Sequence, residues 1–407
     1  MRHLLLSALI LALQAAPALA EDFSAREFFR HRAAAADALK RNDPVAAQAE
    51  IAAARSLLPS APSVLLMGAR IALSAQKPEA AKTWLNDYIA RGLWFDPARQ
   101  PDLAALLSPA ERARLDANGT DFGAFTTVAQ LDTLRLAEGV TMVGDRVYYT
   151  TIHDGALNAV GQAKPVHALA EGRGAYGVAA KGSSIWIAAS PDQAAAASTT
   201  AYPSELVRID TASSSAPETF TGGAGSRFGD IALGAHAVYV SDGGAGAVLR
   251  LDPQTGAWQT LIAAGRLPSP QGLAENADGT ALIVADYTSG LYRVDLAGGD
   301  ILQLPVPETA SLIGVDGVAR FGNDLIVIQN GIEPGRLLRI GMSNDWKAIE
   351  SVQILLRGGA LDEPTNGVVS GDRYLFVARS QWSDFDGDGQ PKATHGPAII
   401  GEIRLTD

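Results

Sequence analysis

The chain has 407 residues, and its 44 acidic and 33 basic side chains give a net charge of −11. A hydrophobic share of 47% beside 19% charged residues excludes intrinsic disorder and predicts a substantial core. The acidic balance and the lack of a basic cluster argue against nucleic acid and anionic membrane surfaces as partners, and with no cysteine the fold has no disulfide to lean on.

At the N-terminus, Arg2 and His3 precede an apolar run over 4–13, and Ala18-Leu19-Ala20 supplies a small-x-small pattern. This reads as a secretory signal over 1–20, cleaved after Ala20, with an uncleaved anchor as the alternative. The run is short for a bilayer and no later segment is longer, so no membrane span is expected. The expected location is periplasmic or secreted.

Residues 21–120 are alanine-rich with helical periodicity. Helices are predicted over 24–40, 44–57, 63–74, 78–91 and 109–117. Asn42-Asp43-Pro44 and Lys77-Pro78 place proline at a helix start, where its missing N–H costs nothing. Ala46, Ala47, Ala80 and Ala81 suit close helix packing. The paired helices resemble tetratricopeptide-type hairpins in general form, without the full repeat consensus. This small α-helical domain is expected to dock on the rest of the chain or on a protein partner.

At Asn118-Gly119-Thr120 the pattern changes to short Val, Ile, Leu and Tyr runs broken by Gly and Asp, which continue through 121–407. The clearest unit spans 270–297, with turns at Asp278-Gly279 and Ser289-Gly290 between apolar runs. It recurs. Aligned on the start of each inner strand, the units begin at Glu138-Gly139-Val140, Tyr176-Gly177-Val178, Gly229-Asp230-Ile231, Gln271-Gly272-Leu273, Asp316-Gly317-Val318 and Asn366-Gly367-Val368. A second β-rich run follows each anchor, at 146–150, 184–188, 237–241, 281–285, 324–328 and 373–377. Third runs are legible at 206–210, 248–252, 291–295 and 337–340, and fourth runs at 258–262, 301–306 and 348–355.

Six four-stranded units predict a mainly β fold, a six-bladed β-propeller preceded by the helical domain. A β-sandwich with irregular loops is the alternative. The last unit has an inner strand, a second strand and a third at 399–405. Its outer strand is expected from 125–131, which would join the two ends of the ring.

A propeller gathers its inner strands around one channel, so the anchors converge there. They bring Glu138, Tyr176, Asp230 (beside Gly229), Gln271, Asp316 and Asn366 to its mouth. This oxygen-rich set suits a hard cation such as Ca²⁺, while zero cysteines and only six histidines argue against a thiolate or His-rich site. The alternative is that these groups satisfy one another and ordered water along the channel.

The Glu-Gly-Val start, the Ser-Pro-Gln-Gly-Leu-Ala unit running to Val284-Ala285-Asp286, and Val315-Asp316-Gly317-Val318 resemble the senescence-marker-protein/gluconolactonase-like propellers over roughly 125–405. The resemblance implies a divalent metal, calcium or zinc, and hydrolysis of sugar lactones or related esters. By position it makes Glu138 a metal ligand and Asp316 a ligand that doubles as general base. Gln271 stands where that family has an asparagine, and Gly229 stands where it has another. Asn366 or Asp230 is then expected to compensate, giving a metal set of Glu138, Gln271, Asp316 and Asn366.

Tyr176, Asp230 and His153 are the expected substrate-lining residues, His153 because it follows the second strand of the first blade. Asp384, Asp386 and Asp388 have the spacing of a calcium loop, but its twelfth position is His395, so a solvated acidic turn competes with a partial calcium site. No nucleophile elbow and no Walker-type glycine loop is present. Two functions follow: a metal-dependent hydrolase acting on a small lactone or ester, or a non-catalytic propeller that binds a ligand or protein.

Overall fold

A computed structural model of the protein describes residues 24–191, 202–386 and 388–406; the signal-peptide reading of 1–20 lies outside them. The helical unit comprises α1 (Ala25–Lys40), α2 (Pro44–Leu57), α3 (Pro62–Ser74), α4 (Pro78–Ala90), α5 (Pro101–Ala104) and α6 (Pro109–Gly119). The starts are chemically marked. Ser24 and Asp43 accept backbone N–H groups of the first turn, Ser108 and Glu111 form a reciprocal capping box, and proline opens α2 through α6. Ala35, Ala38, Ala47 and Ala54 are fully buried where α1 and α2 pack. Gly68 lets α3 lie on the indole of Trp84, whose ring a Cβ there would meet at 2.5 Å. The four-residue α5 is too short to show a period in sequence. No helix among the described residues is long and apolar enough to cross a membrane.

From Thr126 on, the chain forms six four-stranded antiparallel sheets. Their inner strands are Ala137–Val143, Arg173–Lys181, Phe228–Leu233, Pro270–Glu275, Val315–Phe321 and Gly367–Ser370, here blades 1 to 6. The sixth sheet closes the ring as expected: Thr126–Leu131 pairs with Ala398–Arg404, from Thr126 opposite Glu402 to Leu131 opposite Ala398. Two outer strands, His167–Ala168 and Glu218–Thr221, are too short to stand out in sequence, and the outer strand of blade 4 stops at Gln303 rather than 306. Pro305 and Pro307 follow, and neither has an N–H to continue the ladder.

The anchors have a common geometry. In blades 1 to 5 the inner strand is bulged, so that two residues oppose one on the second strand. Glu138 and Gly139 share Thr150, Gly229 and Asp230 share Ser241, and Asp316 and Gly317 share Ile328. Hydroxyls take N–H groups the bulge frees: Gly139 N–H donates to Thr150 Oγ1 at 3.0 Å and Asp230 N–H to Ser241 Oγ at 2.9 Å. The bulge sets both members of each anchor pair opposite a single residue of the second strand.

The second member is glycine in every blade but the third, and packing explains why. A Cβ on Gly272 would lie 2.5 Å from Asp316 O and Val318 N of the next blade, and one on Gly317 would lie 2.6 Å from Thr365 O. Those neighbours are backbone and cannot swing away. Gly272→Ala is therefore expected to lower stability by about 1–3 kcal/mol, the usual scale for overpacking. Gly223→Ala, with nothing within 4 Å of its Cβ, is expected to change it by less than about 0.5 kcal/mol. Urea unfolding of both variants compares the two.

Candidate functional site

The upper end of the channel opens into a cavity of about 660 Å³. Its walls carry Glu138, Tyr176, Asp230, Gln271 and Asp316, so five of the expected residues converge. Asn366 lies lower. It lines a second cavity of about 500 Å³ at the opposite end, and Asp230 lines both. Asn366 Nδ2 donates to Asp230 Oδ1, from blade 6 to blade 3 across the ring. This bond is the partition between the two cavities.

Asp316 accepts a hydrogen bond from Asn330 Nδ2 on Oδ2 at 2.6 Å, and the same amide group donates to Pro364 O at 2.8 Å. Asn330 Oδ1 is buried with no partner among the described residues. Glu138 Oε2 accepts the Trp382 indole N–H at 3.0 Å, while Gln271 Nε2 turns back to Ser269 Oγ at 3.1 Å. Arg227 is the one cation among the lining residues; it is exposed at the rim and donates to Pro191 O.

Neither Asp230 nor Asp316 has a cationic partner among the described residues. Burial pushes the Asp230 carboxyl well above the usual range, against the opposing pull of the Asn366 amide. Burial raises Asp316 too, and the Asp230 charge raises it further, against the Asn330 bond. The Tyr374 phenol is also pushed up, by burial first and then by both aspartates, and its hydroxyl has no partner among the described residues. Two carboxylates facing each other without a counter-ion will share a proton or attract a cation.

Among the described residues no three His, Cys, Asp or Glu side chains form a ready metal cluster. The donors on hand are nonetheless all oxygen: two carboxylates lacking a counter-charge, the unsatisfied Asn330 Oδ1, and Glu138 and Gln271 on the same wall. That chemistry fits a hard cation. Asp286, which ends the Val-Ala-Asp run, is spent on structure: its carboxylate accepts N–H groups of Ser269, Thr288 and Ser289 and the Ser289 hydroxyl.

His153 is not on the cavity wall; Ile152 is buried where a mouth residue would stand, and His153 rests its ring on Phe385 at 5.3 Å. In the acidic loop, Asp384 pairs with Arg379 at 2.8 Å, and Asp386 Oδ1 accepts the N–H groups of Asp388 and Gln390. Asn330, Tyr287 and Trp382 complete the wall and were not anticipated. Tyr287 and Asn330 directly follow the second strands of blades 4 and 5, a position the anchor alignment leaves out.

No protein-family model matches the chain, and comparison with curated protein sequences gives no match. Among solved structures it is similar to a calcium-binding protein, regucalcin, from Agrobacterium tumefaciens, at 18% identity over 70% of this chain and 97% of that one, with a TM-score of 0.48. It is also similar to a protein assigned as a gluconolactonase (16%, 70% and 94%, TM-score 0.44). A third is the PQQ-bound aldose sugar dehydrogenase from Streptomyces coelicolor (17%, 70% and 99%, TM-score 0.47). The chemistry rests on the residues above.

The raised carboxyls have a thermodynamic sign. A group whose folded pKa lies above its unfolded value, about 3.9 for Asp, holds its proton more tightly when folded. Its contribution is fully present below about pH 4 and is lost as pH rises through the folded pKa. Asp316→Asn keeps an acceptor for Asn330 and removes the buried charge. We expect it to melt higher than wild type at pH 8, by about 2–4 °C for each kcal/mol of relief, with the gap closing near pH 4. Thermal melts across that range read it out.

Proposed function

We propose that this protein is an exported hydrolase of the lactonase type, opening sugar lactones or related esters in the upper cavity. The observation that carries the reading is the Asp230–Asp316 pair, two carboxylates deep in an open cavity without a cationic partner. Their oxygen-only surroundings favour Ca²⁺ over Zn²⁺ as the cation they would hold, with Asn330 Oδ1, Glu138 and Gln271 as further donors. Such an ion would polarise the ester carbonyl and offset the buried negative charge.

The chain's own residues account for the proton. Asn330 holds Asp316 by Oδ2, leaving Oδ1 to take a proton from the attacking water. The same proton passes to the ring oxygen as the acyl–oxygen bond opens, so Asp316 ends as it began. Tyr176 and Gln271 offer hydrogen bonds to substrate hydroxyls, and Trp382 fixes the orientation of Glu138. Export is supported by the N-terminal pattern of Arg2, the run over 4–13 and Ala18-Leu19-Ala20.

A second reading, a non-catalytic binding propeller, draws on the helical domain. Arg91 Nη1 donates to Ala310 O at 3.0 Å, and Ser311 Oγ donates to Ser60 O at 2.8 Å, so this domain grips the loop leading to Asp316. Calcium titration by calorimetry, with hydrolysis of a panel of aldonolactones, separates the readings. We expect calcium binding that Asp316→Asn abolishes and turnover that the same change lowers about 10²–10⁴-fold. A purified protein that takes up no calcium and opens no lactone would leave the binding reading standing alone.

A further inference from the structure

Tyr287 brings to the wall of the upper cavity a hydroxyl that takes no part in the proton transfers of Asp316. It follows directly on the second strand of blade 4, is half-buried, and lines the cavity together with Asp316 and Asn330. Its backbone is held on both sides. The N–H donates to Ser269 O at 2.9 Å, and the carbonyl accepts the Gly314 N–H at 2.8 Å, just ahead of Asp316. Gly331 N–H in turn donates to Gly314 O at 3.0 Å, so the segments that carry Tyr287, Asp316 and Asn330 form one frame.

The tip of the ring has a defined seat. A Cβ on Gly331 would lie 2.8 Å from Tyr287 Cζ and 2.9 Å from its hydroxyl oxygen, so the phenol occupies the space this glycine leaves open. Gly331 follows Asn330, whose amide holds Asp316 Oδ2. The hydroxyl and the carboxylate are therefore set around the same two residues. The Tyr287 hydroxyl makes no hydrogen bond with any described residue. Nearby donors are engaged: the Trp382 N–H donates to Glu138, and Asn330 Nδ2 to both Asp316 and Pro364 O. Burial first, then the charges of Asp316 and Glu363, push the phenol pKa up. At neutral pH it therefore keeps its proton and serves as a donor, not as a base.

We propose that Tyr287 is a further catalytic residue, whose O–H donates to the acyl oxygen of the substrate as that oxygen becomes negative. The inference rests on the hydrolase reading and adds a group to it. Water attacks the acyl carbon and gives its proton to Asp316 Oδ1. The carbonyl π pair moves onto the acyl oxygen, which Tyr287 holds by a hydrogen bond without giving up its proton. As the carbonyl re-forms, the bond to the ring oxygen breaks, and the ring oxygen takes the proton from Asp316. The leaving oxygen is thus served by Asp316. The acyl oxygen is not, and its charge develops beside an acidic pair, where a fixed donor matters most.

The test compares wild type with Tyr287→Phe on two substrates: the aldonolactone of the panel that wild type opens fastest, and the same ring as a thionolactone, with sulfur in place of the acyl oxygen. Sulfur accepts hydrogen bonds poorly, so a bond made at that atom loses its worth. We expect Tyr287→Phe to lower kcat on the oxygen lactone about 10²–10³-fold, with KM changed less than about 3-fold, and to lower thionolactone turnover less than about 5-fold. Melting temperature and calcium affinity should hold, since the hydroxyl has no described partner to lose. An unchanged kcat, an effect confined to KM, or equal losses on the two substrates would overturn the proposal and leave the hydrolase reading intact. A wild type that opens none of the panel defeats the hydrolase reading, and this inference with it.

Discussion

The close approach of the inner strands at the axis is the constraint on which the rest of the structure depends. At Gly139, Gly177, Gly272 and Gly317 the next blade's inner strand stands where a Cβ would go. Blade 3 departs from this with Asp230, and the opposite blade answers with Asn366. A carboxylate is thereby buried inside the ring, where charge is costly. Asp316 then lies close enough to feel that charge. The electrostatics of the site thus follow from one substitution in a packing rule.

Much of the ring was legible because a blade repeats its chemistry: an anchor pair, a turn and a β-rich run. Even the closure could be read, since Phe125–Leu131 had no other partner, and Thr126–Leu131 takes that edge. The consequence of the bulge was not legible. A regular strand sends alternate residues to opposite faces, so Asp230 should point away from the axis if Gly229 points toward it. The bulge cancels that alternation. His153 failed for a related reason: the residue one step earlier, Ile152, takes the mouth position and is buried against Leu136 and Phe385. Asn330 and Tyr287 were reachable, since both follow directly on a β-rich run.

The helical domain is tied to the propeller through polar groups that sequence periodicity cannot reveal. Arg336 is buried with no acidic partner among the described residues; it donates to Gln329 Oε1 at 2.6 Å, Gly92 O at 3.1 Å and Ser311 O at 3.2 Å. Burial, with a smaller push from Arg357, pulls its pKa down to about 10, so it stays charged at neutral pH. Three neutral acceptors solvate one guanidinium, and two belong to segments distant in sequence. Ile313 and Ile332 add apolar contact with the helical clusters. The loops so held flank Asp316 and Asn330, and for that reason the helical domain bears on the geometry of the acid pair.

The Asp230–Asn366 bond also determines how that pair meets solvent. Asp316 and Asn330 line the upper cavity and not the lower one, while Asn366 lines only the lower. Asp316 therefore opens to solvent on the side of the upper cavity. A carboxylate approached from one side, with its other oxygen held by Asn330, has a single direction in which to take a proton. The ring is therefore two bowls set back to back, with the aspartate that breaks the glycine rule as their common floor.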